Sequence, residues 1–158
     1  MRSTVLAVVS SLILATAAAG QQASANDARA ALRKGFSDVS GWVTKSAALV
    51  PADKYTYRPA PTVRTFGQLV AHLVDSYAYY CAQAAGRKVE WADPAEKGAT
   101  DKATLGTKLK QATDACTAAY GAGTSVAGPL VDNVGHTNLH YGNMITYLRM
   151  LGLTPPSS

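Results

Sequence analysis

Apolar residues recur with helical spacing in four segments of the chain, and no segment of useful length alternates as a strand does. The first segment begins near Asn26, a residue type that favours the N-cap of a helix. Its apolar positions follow at intervals of three and four residues: Leu32, Phe36, Val39 and Val43. The pattern predicts an amphipathic helix that ends near Val50 and Pro51.

The second helix is predicted to begin after Thr65. Thr65 and Gln68 have the spacing of a capping box, in which each side chain accepts a backbone N–H of the first turn. The apolar face then runs to about Gly86 and includes Leu69, Leu73, Tyr77, Tyr80, Cys81 and Ala84. His72 falls within this face, so its side chain is expected to point inward.

The third and fourth helices follow a crossover of residues 87–100, which is charged and contains Pro94 and Gly98. The third helix is predicted after Asp101, and the glycine-rich stretch "GAGTSVAGP" separates it from the fourth. The fourth is predicted from about Leu130 or Asp132 to Leu151, with Gly152 as its C′ residue.

Four helices and one long connection predict an all-α fold, a four-helix bundle. The crossover between helices two and three is long enough to let these two helices run parallel. Cys81 and Cys116 would then lie at similar heights, late in each helix, and a disulfide between them is expected. The alternative is that they are two buried free thiols, because the sequence does not establish the Cα spacing that a bridge needs.

Residues 1–25 are predicted to be a secretory signal peptide. Met1 and Arg2 precede an apolar run from Val5 to Ala19, which is short for a membrane span. Cleavage is expected after Ala19 or Ala25, which leaves residues 26–158 as the bundle domain. The protein is thus expected to be exported, periplasmic or secreted, without a stable membrane anchor; the alternative is an uncleaved N-terminal anchor.

The charge balance does not favour a nucleic-acid partner. The 158-residue chain has a formal net charge of +5, but no basic cluster is longer than a pair such as Arg87 and Lys88. Nucleic-acid surfaces carry a stripe of Lys and Arg with aromatic residues between them. We therefore expect a small-molecule ligand or substrate.

The chain has three histidines, and two of them lie four residues apart near its end. His136 and His140 in "HTNLH" share one helix face, so both imidazoles can reach one metal ion. With His72 they would form an open three-histidine site. An isolated H-x-x-x-H pair is a weak signal, and buried histidines that bind a backbone carbonyl are common. A zinc protease is excluded, because Thr137 stands where its motif has a glutamate.

Two longer stretches resemble a known family. "TFGQLVAHLVDSYAYYCA" is similar to the second helix of the DinB/YfiT-like proposed metalloenzymes, of the DinB superfamily, and "HTNLHYGNMITYLRMLGLTPPSS" to their last helix. The segment "PADKYTYRPAP" extends this likeness. The resemblance implies an up-down-down-up bundle, with His72, His136 and His140 on a divalent metal such as nickel or zinc. It also implies dimers in many members, and in some members transfer or isomerisation chemistry that uses a low-molecular-weight thiol.

Other site residues are harder to assign from the sequence. Asp75 is a candidate to orient an imidazole, or else is solvated or paired with a basic residue. Tyr80 and Asn143 are candidates for the pocket. No carboxylate ligand is evident, which favours zinc, nickel or copper over magnesium or calcium.

Three functions remain open on the sequence alone. The first is a metal-dependent enzyme of hydrolase or transferase type that activates water or a thiol. The second is a non-catalytic metal- or small-ligand-binding protein. The third is a bundle with vestigial histidines that acts through its surface.

Overall fold

The computed structural model describes the backbone of residues 3–122 and 127–158, and side chains from residue 21 onward except Ala23 and residues 123–126. Within these residues the secondary structure is entirely helical. The α-helices are α1 (Ser3–Leu49), α2 (Phe66–Ala84), α3 (Lys102–Gly121) and α4 (Gly128–Met150), and a short 3-10 turn spans Ala52–Lys54.

The start of the first helix differs from the sequence prediction. α1 begins at Ser3, and Asn26 lies inside it, where its Oδ1 accepts a hydrogen bond from Gln22 Nε2 at 3.1 Å. The alanines and glutamines upstream of Asn26 favour helix and contain no proline to stop it. The expectation that Asn26 caps the helix was therefore wrong. The side chains of residues 1–20, which make up most of the predicted leader, lie outside the described residues.

The chain divides into two compact units, Met1–Ala31 and Leu32–Ser158. The first contains the N-terminal part of α1. The second contains the remainder of α1 and the other three helices, and every feature discussed below belongs to it. No helix of the described residues is both long enough and apolar enough to cross a membrane.

Helices α2 and α3 run parallel, as the long crossover allowed. At their N-terminal ends, a Cβ on Gly67 would collide with the backbone carbonyl of Thr100, so the backbones of the two segments are in contact there. Towards their C-terminal ends, the Cys81–Cys116 disulfide joins them across a Cα–Cα distance of 5.3 Å. The expected disulfide is therefore present in the structure.

Helices α1 and α4 run in the opposite direction to α2 and α3. Asn133, early in α4, contacts Cys116 Sγ at 3.4 Å, whereas Tyr147, late in α4, donates to the carbonyl of Arg64 just before α2. Lys102, at the start of α3, donates to the carbonyls of Ala48 and Val50 at the end of α1. The order is up-down-down-up, and the predicted all-α four-helix bundle is confirmed.

The predicted boundaries of α2, α3 and α4 agree closely with those in the structure. Thr65 and Gln68 form both hydrogen bonds of the capping box, at 2.9 and 3.1 Å. Asp101 caps α3 by accepting from Thr104 N, and Gly152 follows α4 with a φ of 73°. A glycine suits such a left-handed position because it has no Cβ.

Candidate metal centre

The antiparallel packing of α2 and α4 brings the three histidines together. His72 lies on the inward face of α2, and His136 and His140 lie one turn apart on the face of α4 that meets it. His72 and His140 are buried and His136 is half-buried. The order of the helices thus places residues 64 positions apart in the sequence side by side.

The inner nitrogens of the three imidazoles converge. His136 Nε2 lies 3.3 Å from His72 Nε2 and 3.2 Å from His140 Nε2. One ligand atom of each histidine lies within 4.8 Å of those of the other two. Tetrahedral zinc binds imidazole nitrogens at about 2.0–2.1 Å, which places two of them roughly 3.3 Å apart. The nitrogen set therefore fits one divalent transition metal.

The hydrogen bonding of the imidazoles also fits a cation. His72 Nδ1 faces a carboxylate oxygen of Glu96 at 3.1 Å, which assigns its proton to Nδ1 and leaves a lone pair on Nε2. The Nδ1 atoms of His136 and His140 are buried and have no hydrogen-bond partner among the described residues. His136 Nε2 faces the Nε2 atoms of both His72 and His140, and a single proton on it can be donated to only one of them, whereas three neutral imidazoles are a suitable ligand set for zinc or nickel.

Burial keeps these imidazoles in the neutral form that a metal requires. Burial, and then the charges of His72 and Arg64, lower the pKa of His136 to about 4. Burial and the neighbouring histidines likewise lower the pKa of His140 to about 4. The pKa of His72 is also lowered, chiefly by burial and then by Arg64, although Glu96 acts in the opposite direction.

Glu96 is a site residue that the sequence reasoning missed. One of its carboxylate oxygens contacts His72 Nδ1, and the other accepts a hydrogen bond from Arg64 Nε at 2.7 Å. Asp93 lies farther away, with Oδ1 at 4.0 Å from His72 Nδ1. The sequence predicts the crossover only as a connection, and its acidic residues give no local signal because they approach His72 only through the fold. Carboxylates that hold the outer nitrogen of a metal-binding histidine fix the ring orientation and raise its basicity.

Asp75 has a different role from either of those expected for it. It is buried, and its carboxylate accepts hydrogen bonds from the backbone N–H of Ala95 at 2.9 and 3.1 Å and of Glu96 at 2.9 Å. It therefore anchors the crossover rather than an imidazole or a basic side chain. The sequence could not indicate this, because the partners are backbone groups of a segment without regular structure. Asp75 thus acts on the site through the position of Glu96.

Aromatic rings surround one side of the histidine cluster. The Tyr80 ring lies 5.6 Å from that of His136, and the Trp91 ring lies 5.3 Å from that of His72. Tyr79 packs against both Tyr80 and Trp91. The structure therefore places Tyr80 beside the cluster, and it adds Trp91 from the crossover.

A cleft of about 570 Å³ reaches the cluster at His140. Its polar wall includes Arg64, Glu96 and Asn143, so the structure also places Asn143 near a histidine. The remaining lining residues are Pro59, Thr62, Val63, Leu69, Thr146 and Tyr147. A cleft of this size accommodates a small molecule.

Comparisons with known proteins agree with this architecture. Residues 43–137 match the sequence profile of the DinB superfamily, a range that contains His72 and His136 and ends before His140. The fold is similar to the crystal structure of a DinB-like protein from Bacillus cereus ATCC 10987, with a TM-score of 0.62 and 18% sequence identity. The alignment covers 79% of this chain and 93% of that one, and at this identity it shows the fold alone. No curated protein matches the sequence.

Proposed function

The chain belongs to the DinB superfamily, and we propose that it is a metal-dependent enzyme of hydrolase or transferase type. In this proposal His72, His136 and His140 hold one divalent transition metal, zinc or nickel. The observation that carries the proposal is the convergence of the three Nε2 atoms at the end of a cleft large enough for a small substrate.

The chain's own residues would prepare the site in three ways. Glu96 holds the Nδ1 proton of His72, so that the Nε2 lone pair faces the cluster. Trp91 and Tyr80 pack beside His72 and His136, and the cleft leaves His140 accessible. A metal bound to three imidazoles supplies a Lewis acid that polarises a carbonyl and lowers the pKa of a water or thiol nucleophile.

We propose water as the nucleophile in preference to a thiol, and an exported location for the protein. The Cys81–Cys116 disulfide supports both, because disulfides persist in oxidising compartments, where reduced low-molecular-weight thiols are scarce. The apolar run of residues 5–19 adds to the argument for export.

One observation favours a second candidate, a non-catalytic metal- or ligand-binding protein. Both oxygens of Glu96 are engaged, one by Arg64 and one by His72. The carboxylate closest to the cluster is therefore not free to act as a general base. The two candidates share the metal site and differ only in turnover.

The first test is elemental analysis of untagged protein, as the wild type and as the His136→Ala variant. Asn138→Ala is the matched control, because Asn138 is exposed on α4 between the two histidines. We expect about one zinc or nickel ion per chain in the wild type and the control, and loss of the ion in His136→Ala. Protein without metal after incubation with both ions would contradict the metal site that the two candidates share.

The second test separates the candidates. Metal-loaded protein is assayed on panels of small esters, amides and thiol-transfer substrates, beside His140→Ala and Asn138→Ala. Turnover that is lost only in His140→Ala supports the enzyme. A retained metal without turnover on any panel supports the binding protein.

A further inference from the structure

Arg64 is the basic residue of the cleft, and its position is fixed from two directions. Its backbone carbonyl accepts a hydrogen bond from the Tyr147 hydroxyl at 2.6 Å, and its Nε donates to Glu96 at 2.7 Å. The next residues are fixed as well, because Phe66 N donates to the carbonyl of Tyr57 at 2.8 Å. A guanidinium held in this way loses little conformational entropy when it binds a ligand.

The contacts of Arg64 leave most of its donors available. The ion pair with Glu96 uses Nε, and the terminal nitrogens carry the remaining N–H donors in a planar fork. The side chain is 40% exposed and lines the cleft. Such a fork matches the two oxygens of a carboxylate.

Among the described residues of the cleft wall, no uncompensated negative charge opposes an anion. Glu96 is the acidic residue in the wall, and its charge is already compensated by Arg64. The rest of the wall is neutral or apolar. A divalent metal on the histidines would add further positive charge at the inner end.

We infer that the cleft binds a small carboxylate, which places its carboxylate on the terminal nitrogens of Arg64 and its reacting group at His140. This inference rests on the proposed function and names the substrate class for that site. The contacts from Arg64 Nε through the Glu96 carboxylate to His72 keep Arg64 Nε within roughly 10 Å of the His72 imidazole, next to His140. The substrate is therefore a short molecule, with the carboxylate only a few bonds from the group that reacts.

The test uses two hydroxamates of nearly equal length on cobalt-loaded protein. Succinate monohydroxamate carries a terminal carboxylate, whereas butanohydroxamate ends in a methyl group, and either hydroxamate changes the visible absorption of cobalt when it binds. The titration gives a Kd for each probe in the wild type, Arg64→Gln and Arg87→Gln. Arg87 is the matched control, since it follows the C-terminal end of α2 whereas Arg64 precedes the N-terminal end.

We expect the carboxylate probe to bind the wild type about tenfold more tightly than the neutral probe, as one charge-assisted pair provides. The preference should disappear in Arg64→Gln and remain in Arg87→Gln. Glutamine keeps an amide that can donate to Glu96, and cobalt content measured for each variant separates loss of the anchor from loss of the metal. Equal affinities in the wild type, or a preference that survives Arg64→Gln, would overturn the inference.

A metal-free measurement keeps the inference testable if the protein does not take up cobalt. That result would contradict the proposed function by itself. Propionate and 1-propanol are then added to the protein as isolated, and the Arg64 Nε–H resonance is followed by ¹⁵N NMR. A shift with propionate alone supports the carboxylate anchor, and the absence of a shift contradicts it.

Discussion

Glu96 Oε2 lies 3.1 Å from Nδ1 of His72, so a carboxylate of the crossover faces the outer nitrogen of a histidine on α2. This contact links the crossover between α2 and α3 to the candidate metal centre. It also connects that centre with the cleft, because the other oxygen of Glu96 pairs with Arg64.

Removal of the Glu96 carboxylate should weaken metal binding without removing a ligand. Glu96→Gln keeps the size of the side chain but loses the charge that raises the basicity of His72. We expect metal affinity to fall about 10- to 100-fold. Competition with a chromophoric chelator measures the Kd, and Glu90→Gln, an exposed change in the same crossover, serves as the control. Equal Kd values for the two variants would argue against a role of Glu96 at the metal.

Asp75→Asn should destabilise the crossover. The carboxylate accepts from two backbone amides, and the amide group of asparagine places a donor where one of its acceptor oxygens was. We expect the free energy of unfolding to fall by about 1–3 kcal/mol, with weaker metal binding as a consequence. Urea denaturation measures the first effect, and the exposed change Asp132→Asn on α4 is the control. An unchanged midpoint would contradict this account of Asp75.

The disulfide should contribute substantially to stability. It closes a sequence separation of 35 residues between α2 and α3, and the chain-entropy model gives roughly 3–4 kcal/mol for such a loop. The variant with both Cys81→Ala and Cys116→Ala should therefore unfold at lower urea concentration. Dithiothreitol should lower the midpoint of the wild type and leave that of the variant unchanged. A wild-type midpoint that resists verified reduction would show that packing alone holds these helices together.

Stability of the metal-free protein should fall as the pH is lowered. The pKa values of His136 and His140 are about 4 in the folded state, below the value of about 6.5 of an unfolded chain. Between these two values the unfolded state binds more protons, so its free energy decreases relative to the folded state as the pH falls. The free energy of unfolding should be constant above about pH 6.5 and decrease towards pH 4.

Urea denaturation of chelator-treated protein between pH 7.5 and 4.5 measures this dependence. The variant with His136→Asn and His140→Asn is the comparison, because asparagine does not titrate in this range. Its stability should depend less on pH than that of the wild type. Parallel pH profiles of the two proteins would mean that other groups cause the acid sensitivity.

The sequence by itself determined the helical elements and their inward faces. Two local patterns show this: the apolar spacing of Phe36, Val39 and Val43, and the capping box of Thr65 and Gln68. Each depends only on residues that are close together in the sequence. The same holds for Gly152 at the end of α4. The start of α1 was missed because the residues before Asn26 are themselves good helix formers, so no local signal marks a boundary there.

The sequence also predicted that the three histidines point inward, because they lie on apolar helix faces. Only the tertiary structure decided which residues surround them. Glu96, Trp91 and Arg64 lie in connecting segments, where no periodicity indicates the direction of a side chain. Glu96 and Trp91 reach the site because α2 and α3 run parallel, which carries the crossover back along the bundle past His72. Arg64 precedes α2, and its backbone carbonyl is held there by the Tyr147 hydroxyl of α4. Contacts of this kind depend on distances between segments far apart in the chain, and a pattern of neighbouring residues contains no information about them.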